Sequence, residues 1–242
     1  MTTHDWLLGG LAAFLVGFSK TGVPGLGILI VPLMAVVFPA KLSVGAVLVM
    51  LIVGDVFGVA FYRRHAQWNK LWPLFPWVLV GTIPGAWALA KFNNAELEPA
   101  LGWLVLAMIA VDLARRHFDW QELPHHWAFG AVTGMAAGFA TTLGNVAGPI
   151  MTIYFLSRGL VKNEFMGTIV WYFFIINLSK VPIFAALGII TADTLWFDLL
   201  MVPLIAAGAF AGKWALPRIS QAAFTALVMV LAAVAAVRLI LP

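Results

Sequence analysis

The chain contains no cysteine. Disulfides and thiolate metal sites are therefore excluded. Charge is scarce as well: Asp, Glu, Lys and Arg make up 10% of 242 residues, against 63% hydrophobic, with a mean hydropathy of +1.00. The longest polar stretch, Arg115–His126, is too short to fold alone. Nucleotide and hydrolase signatures are missing. Ser19-Lys20-Thr21-Gly22 resembles the end of a P-loop, but that loop needs glycine where Ser19 stands. There is no GxSxG elbow and no HExxH pair, and His125-His126 has no matching ligands. Nothing calls for a cofactor. Trp6–Gly17 lacks the basic n-region of a signal peptide, and apolar character resumes after it. The net charge of +4 sits mostly in short loops, where it sets membrane orientation instead of attracting nucleic acid.

What the chain does have is apolar runs, repeated and separated by short charged loops. Six are long enough to span a bilayer as single helices, near 43–62, 71–91, 97–114, 164–187, 193–213 and 220–241. Two more, 5–38 and 127–157, are too long for one straight span, and each is interrupted, at Ser19–Gly25 and Ala140–Gly148. The pattern occurs twice. Gly17-Phe18 and Thr21 match Gly138-Phe139 and Thr142, Gly27 matches Gly148, and Asp55 falls opposite Asn177. GTIPGAWAL at Gly81–Leu89 matches GAFAGKWAL at Gly208–Leu216, including both glycines of a GxxxG, a spacing that lets helices approach closely. The expected units are 1–118, with the broken segment 5–38 and three spans, and 119–242, with the broken segment 127–157 and three spans.

Loop charges test how the halves run. If each broken segment crosses the membrane once, Lys and Arg divide evenly between the two sides. If each enters and leaves on one side, that side holds Arg63, Arg64, Lys70, Arg115, Arg116, Arg158, Lys162, Lys213 and Arg218. The other side keeps only Lys41, Lys91 and Arg238. The positive-inside rule selects the second arrangement, with both termini outside. Three crossings per half make the repeats inverted. The expected fold is thus an all-α polytopic membrane protein of two inverted repeats, each a re-entrant broken hairpin plus three transmembrane helices. Secondary transporters of such architecture place substrate at the midplane between broken helices. Trp6, Trp68, Trp72, Trp120, Trp127 and Trp196 lie near span ends, as an aromatic belt should.

Each interruption precedes a helix start, with Pro24 and Pro149 suited to the first turn. A helix N-terminus presents unpaired amides and partial positive charge, and two converging starts would cradle an anion. Lys20, Thr21, Gly25 and Gly27 would bind from one side; Thr141, Thr142, Asn145 and Gly148 from the other. Asn177 and Lys180, three apart on one helix face, would complete the cage. The structural alternative for Lys20 is snorkelling to an interface. Asp55 could pair with Lys180 or Lys20, as a structural ion pair joining the halves, or carry a proton during transport. Asp112, Asp198 and Lys213 lie close to span ends and are expected to be wetted.

FSKTGVPGLGILIVP, GDVFGVAFYRRHAQW, AGPIMTIYFLSRGLVKNEFMGT and NLSKVP together resemble the TauE/SafE sulfite exporter family of bacterial membrane proteins. The resemblance covers nearly the whole chain. It implies a multi-pass inner-membrane transporter of sulfur-containing anions, such as sulfite or an organosulfonate, driven by an ion gradient. TTLGNVAGP departs from the glycine-doubled second break common in that family. The reading is a secondary transporter that exports such an anion by alternating access. Its partners would be the anion, membrane lipids, a proton or other coupled ion, and a second copy in a homodimer. An anion channel on the same scaffold is the alternative. A membrane enzyme lacks a nucleophile–base set here, and an assembly factor would not need the polar breaks.

Overall fold

A computed structural model describes residues 2–22, 27–117, 126–215 and 221–241. Every regular element among them is helical. They are α1 (Thr3–Thr21), α2 (Gly27–Val37), α3 (Ala40–Tyr62), the short α4 (Trp68–Leu71), α5 (Phe75–Lys91), α6 (Asn94–His117), α7 (Trp127–Gly144), α8 (Gly148–Ser157), α9 (Lys162–Ala186), α10 (Ala192–Ala215) and α11 (Gln221–Ile240). Five stretches are long and apolar enough to cross a membrane: Ala40–His65, Trp68–Lys91, Asn94–Ala114, Asn163–Ala186 and Ala192–Trp214. The sixth expected span is also one helix, α11. α2 and α8 are apolar but too short to cross. This is the chain of a polytopic membrane protein. Exposed Trp72, Trp127 and Trp196 sit near helix ends, where indole rings meet headgroups. Trp120 lies outside the described residues.

Helices from the two parts of the chain interleave. α1 packs along α10, α7 along α5, α3 against α9, and α6 against α11. Small residues allow the tightest crossings. A Cβ on Gly17 would run into the backbone of Ile205 and Ala209, and one on Gly138 into that of Val78 and Thr82. From Gly17 to Gly138 is 121 residues; from Val78 to Ile205 and from Thr82 to Ala209 is 127. The facing glycines obey the same steps: Gly208 abuts the Phe14 carbonyl and Gly81 the Met135 carbonyl. The two helix pairs thus make the same contacts at corresponding positions. In lipid, where apolar surface has no preference for protein, such close backbone packing supplies the association.

Both interruptions are shorter than the polar composition suggests. α1 continues through Ser19, Lys20 and Thr21, and α7 continues to Gly144. The hydroxyls explain this. Ser19 Oγ donates to the Val16 carbonyl (2.9 Å), and Thr142 Oγ1 to the Gly138 carbonyl (2.8 Å). These bonds stay within the preceding turn and leave no polar group facing lipid. α7 ends on Asn145, whose φ of 56° is left-handed. Asparagine tolerates that conformation better than other side chains, and the Asn145 amide donates to the Thr141 carbonyl (3.0 Å), closing the last turn.

The core between α1, α3 and α9 holds charge. Asp55 and Lys180 are fully buried and Lys20 nearly so. Asp112 and Asp198, expected in water near span ends, are buried among helices instead. Their helical neighbours cover them, which position along the chain does not reveal.

Candidate functional site

Lys20 lies in the last turn of α1, where a cation complements the helix C-terminus. Its Nζ sits 2.7 Å from Asp55 Oδ1 on α3 and 4.4 Å from the centre of the Phe173 ring on α9. Gly54 and Gly58 flank Asp55 on α3. A Cβ on Gly54 would press on Val16 and on the stem of Lys20, and one on Gly58 on Val170. The two glycines therefore let α1 and α9 come close enough for the pair to form. Asn177 Nδ2 donates to Asp55 Oδ2 (2.7 Å), so both carboxylate oxygens are engaged. Asp55 and Asn177, matched in the sequence comparison, touch where α3 crosses α9.

Lys180 lies one turn beyond Asn177. Its Nζ donates to the Thr141 carbonyl (2.9 Å), Thr141 Oγ1 (3.0 Å) and Asn145 Oδ1 (2.7 Å). Three acceptors match the three donors of an ammonium group. Asn145 Nδ2 in turn donates to the Val44 carbonyl (3.0 Å), tying the second interruption to α3. Among the described residues no carboxylate lies within ion-pairing distance of Lys180. The centre thus holds two buried lysines and one buried aspartate.

A cavity opens between these groups. Ser19 and Lys20 of α1, Gly27 and Ile28 at the start of α2, and Thr141, Asn145, Val146 and Gly148 around the second interruption line it. Leu51 of α3 and Met166, Ile169, Val170, Phe173 and Asn177 of α9 form the rest of the wall. About 60 Å³ is open to the centres of water molecules. One water needs about 10–15 Å³ on that measure, so a few waters or one small oxyanion fit. Both helix starts, Gly27 and Gly148, reach the cavity. α8 begins without a side-chain cap and with proline in its first turn. The amides of Gly148 and Ile150 consequently have no carbonyl four residues back within the helix to bond, and they can serve an anion.

The cavity thus brings together Lys20, Gly27, Thr141, Asn145, Gly148 and Asn177. Other expected residues stand elsewhere. Thr21 Oγ1 donates to the Ala209 carbonyl (2.6 Å), clamping α1 to α10, and Thr142 is occupied within α7. Lys180 stands behind Thr141 and Asn145, outside the cavity lining. Asp55 stands behind Lys20. Gly25 lies outside the described residues, as does Pro24. The sequence reading missed Ser19 and the apolar wall of α9. Met166, Ile169, Val170, Phe173 and Asn177 follow helical spacing, so extending the face of Asn177 toward the helix start would have found that wall.

A family model described as sulfite exporter TauE/SafE matches residues 9–239. The chain belongs to this family. The match takes in both interruptions and all the charged groups of the centre. No curated protein and no solved structure gives a significant match. TauE/SafE is a transporter family, and it points to a membrane transporter of sulfur-containing anions.

Proposed function

We propose that this protein is a secondary transporter that binds a small sulfur oxyanion or organosulfonate in the cavity between the two interruptions and exports it across the bacterial inner membrane. One observation carries the reading: a nearly buried lysine, Lys20, and several polar donors line a cavity of oxyanion size, with a second buried lysine behind its wall. A buried cation and converging donors favour an anion in such a space. Lys20 supplies a direct contact. Thr141, Asn145, Asn177 and the Gly148 amide at the start of α8 supply donors. Lys180 holds the Thr141–Asn145 turn in place and adds its field. Thr21 fastens α1 to α10, and Thr142 bonds within α7.

The architecture we favour is two inverted repeats, 1–118 and 119–242, each a re-entrant hairpin followed by three spans. The charge asymmetry of the loops and the matched glycine contacts support it. Alternating access would come from one set of helices rocking on the other. Two measurements test the reading. Purified protein in liposomes should carry labelled sulfite with saturation; a flux that rises linearly with concentration would mean a channel, and none above protein-free vesicles would remove sulfite as substrate. Single cysteines at positions 2 and 241, placed in this cysteine-free chain, should react with impermeant reagent from the outside. Reaction only from the cytoplasm would overturn the inverted topology.

A further inference from the structure

Lys20 faces two negative claims once an anion enters the cavity. Its ammonium lines the cavity, yet its nearest charge is a carboxylate at 2.7 Å. A negative oxygen entering the cavity competes with Asp55 Oδ1 for the same Nζ. Were Lys20 to swing to the anion, Asp55 would keep only the neutral amide of Asn177. The charged groups that act on Asp55 are Lys20, from α1, and Lys180, from α9. α2 contains no titratable side chain. Lys180 does not move in to replace Lys20, because its three donors are engaged by Thr141 and Asn145. A fully buried carboxylate without its cation is costly as an ion, and such groups neutralise instead.

We propose that anion binding draws Lys20 from Asp55 and that Asp55 then takes up a proton on the freed oxygen, so that anion and proton travel together. This rests on the anion-transport reading above and names the ion coupled to it. The proton enters from bulk solvent by way of water in the cavity, leaving no hydroxide behind, and bonds to Asp55 Oδ1; Lys20 stays an ammonium throughout. Charge balances. The empty centre holds two lysine charges and one carboxylate; the loaded centre holds two lysine charges, a neutral acid and the anion. With a monoanion the net buried charge is the same in both, so the moving parts never carry extra charge through the membrane. Asn177 suits both states, because its amide oxygen can accept from the protonated acid after its Nδ2 has served the carboxylate. That oxygen has no partner among the described residues in the present state. A coupled monoanion and proton follow the product of their gradients. Export then runs only where the cytoplasmic anion excess outweighs the inward proton excess.

The test is infrared difference spectroscopy of the purified protein with and without sulfite, at a pH where free carboxylates are ionised. Sulfite should bring up the carbonyl stretch of a protonated, buried carboxylic acid. In Asp55→Asn that band should not form. In Lys20→Met it should be present before sulfite is added, because Asp55 has lost its cation permanently. Reconstituted Asp55→Asn, held in the neutral form, should exchange sulfite for sulfite but lose net flux by at least tenfold. Sulfite binding with no new carboxylic band would overturn proton coupling and leave anion transport standing. A band unchanged in Asp55→Asn would do the same. Absence of sulfite binding in the wild-type protein would remove both.

Discussion

Lys20→Ala is expected to bring sulfite flux in proteoliposomes down to that of protein-free vesicles. The substitution removes the cation that lines the cavity and strands Asp55, which is fully buried. Removing one partner from a buried ion pair costs about 3–5 kcal/mol when the other stays charged, so the single variant is also expected to melt at lower temperature. Loss of stability and loss of binding must therefore be separated. The double variant Lys20→Ala with Asp55→Asn does so, because it leaves no stranded carboxylate at position 55. Its melting point should recover toward that of the unmodified chain, while sulfite-for-sulfite exchange, which Asp55→Asn alone is expected to retain, stays at background. Recovery of both would show that Lys20 serves only to pair with Asp55 and would remove the cation from the anion site.

Lys180→Met is expected to act in the opposite sense on stability. Lys180 is fully buried, carries no carboxylate partner among the described residues, and its side chain is close to methionine in length. Hydrogen bonds to a charged group contribute roughly 1.5–3 kcal/mol. Against that stands the penalty of keeping an uncompensated charge out of water, several kcal/mol for an ion in a protein interior. The terms oppose each other, so thermal stability should change little or rise. Anion binding should suffer, because the Thr141–Asn145 turn at the cavity wall has lost its anchor. Half-saturation for sulfite should rise at least tenfold, which corresponds to about 1.4 kcal/mol. A variant that melts early yet transports with unchanged half-saturation would make Lys180 a structural latch. Tryptophan fluorescence suits the melting measurement, with 11 indoles in the chain.

These two lysines differ in what surrounds them, and that difference could not be read in advance. From the sequence, Asp55 could have paired with either. The structure puts it on Lys20 because Gly54 and Gly58 draw α1 against α3 at that level, and because Thr141 and Asn145 already occupy the donors of Lys180. Glycine spacing is visible in sequence; which neighbouring helix uses the gap is not.

Sequence by itself determined the helical membrane class, since uninterrupted apolar runs have few other solutions in lipid. It placed the two interruptions, because glycine, proline and hydroxyl residues inside such runs are costly and conspicuous. It matched Gly17 with Gly138 and Gly81 with Gly208, which prove to face backbone at corresponding positions. The tertiary structure alone decided which polar groups are free. Thr21 and Thr142 look like ligands in one dimension, yet the Thr21 hydroxyl bonds a carbonyl of α10 and that of Thr142 a carbonyl of its own helix. Lys180 looks like a site cation, yet it stands one layer behind the cavity. Ser19 and the Phe173 face of α9 join the wall because two helices happen to turn them toward the same space. Local composition tells which residues are polar. Only the packing of distant helices decides whose hydrogen bonds are already taken.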